Sequence, residues 1–195
     1  MPGLLLQRYG PGKALEMLES LTEVYTEAYA GPPYDERPEV YGREAFIERT
    51  TRQASRNGFT LVTGDIGESL AGYTFGLRNE PGTWLPGESD PSPPAELVQA
   101  SRFFVVELII RKPFRGHGYS HQLMNSLLAD RTESFAALTA RPGGFPQAMY
   151  LRWGWTTVCK LTLANAPVIF DVMVLKLPAL SAHEPPPCST PCSVC

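Results

Sequence analysis

The segment Val105–Leu128, "VVELIIRKPFRGHGYSHQLMNSLL", sets an apolar run, a pair of glycines and an amphipathic stripe end to end. Phe103 to Arg111 is the strongest strand signal in the chain, and Glu107 is its only ionisable side chain before Arg111. Beyond Gly116 and Gly118, residues Leu123, Met124, Leu127 and Leu128 fall on one helical stripe. Strand, Gly-x-Gly and helix in this order leave unpaired backbone N–H groups at a helix N-terminus. Those donors and the helix dipole suit an anion such as a diphosphate.

Two familiar phosphate loops do not fit. No Gly-x4-Gly-Lys-Ser/Thr run exists, and a dinucleotide fingerprint would need a third glycine where His121 stands.

Upstream, Leu4 to Gly10 reads as a short first strand. From Gly12 to Ala30, Leu15, Leu18, Leu21, Tyr25, Ala28 and Tyr29 recur at helical spacing. "GPPYDERPE" (Gly31 to Glu39) breaks that helix as a loop. A second helix is expected over Arg43 to Arg56, with Ala45, Phe46, Ile47 and Ala54 inward. Phe59 to Asp65 and Ser69 to Leu77 read as a hairpin closed at "DIGE". Glu80 to Pro94, rich in Pro and Gly, reads as a surface loop, followed by a short helix in "PAELVQAS". Downstream come a strand over Ser134 to Ala140, a helix in "PQAMYLRWG", and strands in "TTVCKLTL" and "VIFDVMVLKL". There is no internal repeat. Helices first, then strands alternating with helices, give an α/β sandwich with a mixed sheet.

The chain has 195 residues, 43% hydrophobic and 19% charged, which favours one domain. Its formal net charge of −3 argues against a general nucleic-acid-binding surface. No apolar run nears the ~20 residues that span a bilayer, so no membrane association is expected. "MPGLLLQRYG" lacks the basic start and long apolar core of a signal peptide, and a cytoplasmic protein is the expectation. The domain is expected to occupy residues 1–178, with 179–195 as a disordered Pro- and Cys-rich tail. Of four cysteines, Cys159 sits in an apolar segment, whereas Cys188, Cys192 and Cys195 crowd the tail. Three thiolates without a partner pair support no zinc site, and "CSVC" fits a prenylation box poorly.

The run Arg115-Gly116-His117-Gly118-Tyr119-Ser120 resembles the Arg/Gln-x-x-Gly-x-Gly/Ala signature of the GNAT acyltransferase superfamily. "AMYLRWGW" and "FDVMVLKL" follow in the order of that superfamily, so the resemblance covers Phe103 to Leu177. It implies an α/β (α+β) fold: a GNAT-like, mostly antiparallel central sheet flanked by helices, with splayed fourth and fifth strands. It also implies acetyl-CoA as cosubstrate and no metal. The pyrophosphate would lie on the amides of Gly116, His117, Gly118, Tyr119, Ser120 and His121, with Arg115 and Arg111 as counter-charge. The pantetheine would pair with backbone at Leu108, Ile109 and Ile110. Ser120 departs from the small Gly or Ala of the signature. Gly143 and Gly144 stand where the family often has an asparagine.

A carboxylate inside a buried strand is costly unless it is hydrogen-bonded or faces a cleft. Burial raises its pKa and would suit Glu107 to a general base, the role the resemblance implies; an ion pair with Arg111 or another basic side chain is the alternative. By the same resemblance Tyr150 would protonate the departing thiolate, and the alternative is an aromatic packed on Trp153. The resemblance also places an oxyanion-binding N–H at Leu108. His117 and His121 are phosphate-loop residues rather than metal ligands. Tyr34, Asp35 and Glu36, with Trp84, offer aromatic walls and negative charge for a cationic amine. The expected activity is acetyl transfer to a primary amine of a small molecule by direct attack in a ternary complex, in a monomer or homodimer. A catalytically silent CoA-binding module is the alternative.

Overall fold

The computed structural model describes residues 3–31, 38–163 and 168–178. The expected tail and three of the acceptor-side candidates, Tyr34, Asp35 and Glu36, lie outside them.

Strand β1 (Leu5–Tyr9) leads into helices α1 (Pro11–Glu16), α2 (Leu18–Ala28), α3 (Pro38–Tyr41) and α4 (Arg43–Ala54). The hairpin β2 (Thr60–Ile66) and β3 (Ser69–Asn79) follows, then β4 (Glu88–Asp90), α5 (Ala95–Gln99) and β5 (Arg102–Ile110). The chain continues through α6 (Tyr119–Leu128), β6 (Phe135–Ala140), α7 (Phe145–Arg152), β7 (Thr156–Thr162) and β8 (Ile169–Lys176). The strands form one sheet in the order β1-β2-β3-β5-β6-β8-β7-β4. Every neighbouring pair is antiparallel except β5 and β6. This is the mixed, mostly antiparallel sheet expected.

Helix α6 covers one face with Leu123, Met124 and Leu127 packed on Val62, Phe103, Val105 and Ile110. Helices α1, α2 and α4 cover the other, where Leu21, Tyr25 and Phe46 meet Leu61, Tyr73, Phe75 and Ile109. The expected single helix over Gly12 to Ala30 is broken at Met17, whose ψ of 1° interrupts the helical geometry. The kink turns Ala14 inward and leaves Leu15 43% exposed. In α4 the buried stripe is Phe46, Thr50 and Ala54, while Ala45 and Ile47 are half-buried at its margins.

The segment Glu80 to Pro94 is not wholly irregular. Glu88, Ser89 and Asp90 pair with Thr162, Leu161 and Lys160 of β7 and extend the sheet by a short edge strand. Three polar residues carry no hydrophobic alternation, so the pairing is dictated by the neighbour. Gly87 permits it: its φ is +125°, and a Cβ there would stand 2.4 Å from the Thr162 carbonyl oxygen.

Two features of β5 shape the site. A β-bulge between Val105 and Glu107 places the extra residue, Val106, opposite the Phe75–Gly76 step of β3. Before the bulge Phe103 and Val105 face α6; after it Leu108 and Ile110 do. The one-residue slip therefore turns Glu107 onto the face of α2 and α4. Second, β5 pairs with β6 only through Arg102–Phe135, Phe103–Ala136 and Phe104–Ala137. Beyond Phe104 the two strands part, and the backbone edge of β5 faces a gap.

Arg102 fixes the point where they part. Its guanidinium is fully buried and donates to the carbonyls of Leu97, Val98 and Ala100 at the end of α5, and of Thr83. It also lies 5.2 Å from the Trp84 ring centroid. One side chain thus ties the Glu80–Pro94 segment to the first residue of β5.

Candidate active site

The gap between β5 and β6 opens into two cavities that share Tyr29. The larger, about 940 Å³, lies between the exposed edge of β5, the glycine loop and α7. Leu108, Ile109 and Ile110 form its strand wall, and Arg115 through His121, His117 excepted, contribute its loop wall.

The loop is shaped by its sequence. Pro113 starts a 3-10 turn over Lys112–Phe114, and Arg115 returns its Nε to the Ile110 carbonyl at 2.9 Å. Gly116 and Gly118 then take φ of +82° and +76°, left-handed values that cost a side-chain-bearing residue about 1–2 kcal/mol. Gly118 is the N-cap of α6 and brings no capping side chain, so the first-turn amides have no cap hydrogen bond. They open on the cavity beside Ser120 and His121. Ser120 Oγ approaches Met149 Sδ at 3.8 Å, and the His121 ring sits 4.8 Å from that of Trp153, joining the loop to α7. His117 lies against Tyr119, ring centroids 5.6 Å apart. Arg111, by contrast, is engaged with Glu27 of α2 at 2.7 Å, whereas Arg115 and Arg152, at the end of α7, line the cavity.

Helix α7 starts at Gly144 with Pro146 in its first turn, a position where proline's missing N–H costs nothing. The Gly143 N–H donates to Gln147 Oε1 at 2.7 Å, and Gln147 in turn donates to Asp171 of β8. This orients Tyr150, which is 8% exposed, packs edge-on to Trp153 at 5.6 Å, and still lines the larger cavity. Tyr150 thus packs on Trp153 and at the same time borders the larger cavity. Its hydroxyl has no hydrogen-bond partner among the described residues. Burial, then the nearby Glu107 charge, hold the phenol protonated well above its ordinary range.

The smaller cavity, about 370 Å³, lies on the α2/α4 face, with Glu107 in its wall. The carboxylate is 10% exposed and stands 3.7 Å from Arg49 Nη2 of α4. Tyr29 donates to its Oε2 at 3.2 Å. Arg49 also donates to the Val40 carbonyl at 3.0 Å and to the Tyr25 hydroxyl at 3.2 Å. Behind the carboxylate, Thr74 Oγ1 donates to the Glu107 carbonyl oxygen at 2.7 Å and steadies the bulge. Burial pushes the Glu107 pKa up to about 7, against the opposing pull of Arg49 and the Tyr29 hydrogen bond. At neutral pH it is poised between acid and base.

Trp84 stands apart from both walls. It packs with Leu97, Ala137, Val174 and Cys159, and its Nε1 donates to Ser89 at 3.1 Å; its neighbours Leu85 and Pro86 reach the smaller cavity instead. The sequence allowed Glu107 a basic partner without naming Arg49, and it did not name Tyr29. Arg49 follows Phe46 by three residues on the inward face of α4, and Tyr25 and Tyr29 share the inward face of α2. An arginine on a buried stripe was the available signal for a buried carboxylate.

Comparison with known proteins gives the fold a class. No family model and no curated protein matches the chain. Solved structures do. A histone acetyltransferase HPA2 and related acetyltransferase from Corynebacterium glutamicum ATCC 13032 superposes with a TM-score of 0.62 at 16% identity, covering 92% of this chain and 98% of that one. An aminoglycoside 6'-acetyltransferase type Ii gives 0.60 at 14%, over 88% and 96%. PaiA N-acetyltransferase from Thermoplasma acidophilum, in complex with coenzyme A, gives 0.54 at 13%, over 89% and 99%. The chain has the GNAT N-acetyltransferase fold.

Proposed function

We propose that the protein is an acetyl-CoA-dependent N-acetyltransferase that acylates a primary amine of a small molecule by direct attack in a ternary complex. The observation that carries this is Glu107: a carboxylate with a pKa near 7, in the wall of one cavity and adjacent in the strand to the backbone edge of the other.

The larger cavity has the dimensions and donors for CoA. Its pyrophosphate would sit on the first-turn amides of α6 with Arg115 beside it, and the pantetheine would run along the edge of β5 as an added strand. The amine enters from the smaller cavity. Glu107 accepts its proton as the nitrogen attacks the thioester carbon, and the Leu108 N–H receives the developing oxyanion. Collapse breaks the C–S bond, and Tyr150 gives its proton to the leaving thiolate. The amide and free CoA result, with Glu107 protonated and Tyr150 ionised until both exchange with solvent.

The test is thiol release from acetyl-CoA with a panel of primary amines, for the wild type and Glu107→Gln. Turnover that the substitution depresses 100-fold or more is expected. CoA that raises Tm without any thiol release would make the chain a CoA-binding module instead.

A further inference from the structure

Resting on the acetyl-transfer reading, we infer that the acceptor is an aromatic monoamine without a second charge. The smaller cavity holds one carboxylate among its described lining residues, Glu107, and Arg49 stands 3.7 Å from it. Among the described residues the field is therefore close to neutral, with no row of carboxylates for the further ammonium groups of a polyamine. An acceptor carboxylate fares no better. The Arg49 charge is already matched by Glu107, and its terminal nitrogens also donate to Val40 and Tyr25, so the cavity holds no surplus positive charge among its described lining residues for an anionic tail.

What the cavity does offer is aromatic surface. Tyr25, Tyr29 and Tyr41 line it from the helical side; Phe104, Val106 and Phe170 line it from the sheet. Tyr25 stacks on Tyr29 at 4.4 Å and Tyr29 on Tyr41 at 5.6 Å, so these rings form a continuous wall rather than separate contacts. At about 30 Å³ per water-sized group, the 370 Å³ volume holds about a dozen heavy atoms. That is one aromatic ring on a short aminoalkyl arm. The ring would lie between Phe170 and the tyrosines, and the amine on its arm would face Glu107 in the same cavity.

The experiment compares kcat/KM for thiol release at saturating acetyl-CoA with 2-phenylethylamine, tryptamine, spermidine, phenylalanine and a hexapeptide bearing a free α-amine. The aryl monoamines are expected to exceed the other three by at least ten-fold. Phe170→Ala should raise KM for 2-phenylethylamine several-fold while leaving KM for acetyl-CoA unchanged. Spermidine, phenylalanine or the peptide matching the aryl amines would overturn the acceptor class and leave acetyl transfer standing. So would an unchanged amine KM in Phe170→Ala. If no amine releases thiol while CoA still raises Tm, the transferase reading itself falls, and this inference with it.

Discussion

Replacing Arg49 with methionine isolates the charge that opposes burial at Glu107. At 3.7 Å a unit charge contributes about 1 kcal/mol in water-like surroundings and about 4.5 kcal/mol at an effective dielectric constant of 20. Arg49 keeps 29% of its side chain in solvent, which screens the pair and favours the lower half of that range. Loss of about 1–3 kcal/mol raises the carboxyl pKa by roughly one to two units. The sign follows from the chemistry. The base must be ionised to accept a proton, so a higher pKa moves the rising limb of kcat/KM toward alkaline pH. The wild type should show that limb near 7. Arg49→Met should show it near 8–9 by the same arithmetic, and Arg49→Lys, which keeps the charge, should lie between. The assay is thiol release from pH 5.5 to 9.5 with amine and acetyl-CoA varied in turn. A midpoint in Arg49→Met at or below that of the wild type would refute the assignment of Glu107 as the titrating base.

Glu107 also ties stability to pH. Its folded pKa of about 7 lies above the ordinary 4.5, so the unfolded chain releases this proton first. Between those values stability falls as pH rises, by about 3 kcal/mol from this group; urea titrations at pH 5 and 8 should show the fall in the wild type and its absence in Glu107→Gln. Tyr150→Phe removes a hydroxyl that has no hydrogen-bond partner among the described residues. Tm should hold while kcat drops roughly 100-fold, as steady-state kinetics and a thermal melt will report. Arg102→Lys cannot reach the four carbonyls that the guanidinium serves. It should cost about 2–4 kcal/mol in denaturant unfolding and raise hydrogen exchange across residues 80–101, whereas exchange confined to other segments would refute the staple.

Much of the fold was legible because its signals are local. The strand-glycine-helix succession at Phe103–Leu128 and the hairpin at Asp65–Ser69 are each written in adjacent residues. Glu107 was legible for a related reason, as a charge misplaced in an apolar run. What escaped was set by partners distant in sequence. The edge strand Glu88–Asp90 exists because β7 offers it hydrogen bonds, and no pattern within "ESD" announces that. The bulge at Val106 is a relation between β3 and β5, yet it decides which face receives Glu107. The alternative of an ion pair allowed Arg111 or another basic side chain; Arg111 found Glu27, and α4 supplied Arg49 from 58 positions upstream of Glu107. Trp84, read as an acceptor wall by its loop, became a platform for Arg102 instead.

The three residue pairs that join β5 to β6 make a seam as well as a site. On either side lie four strands, β1-β2-β3-β5 and β6-β8-β7-β4, each with its own continuous ladder. Apart from the edge pairing of β4 with β7, no ladder among the described residues is as short, and a force or fluctuation that bends the sheet concentrates on this line, which runs through the cleft. The cosubstrate proposed to lie along the free edge of β5 would act there as a wedge and a splint together.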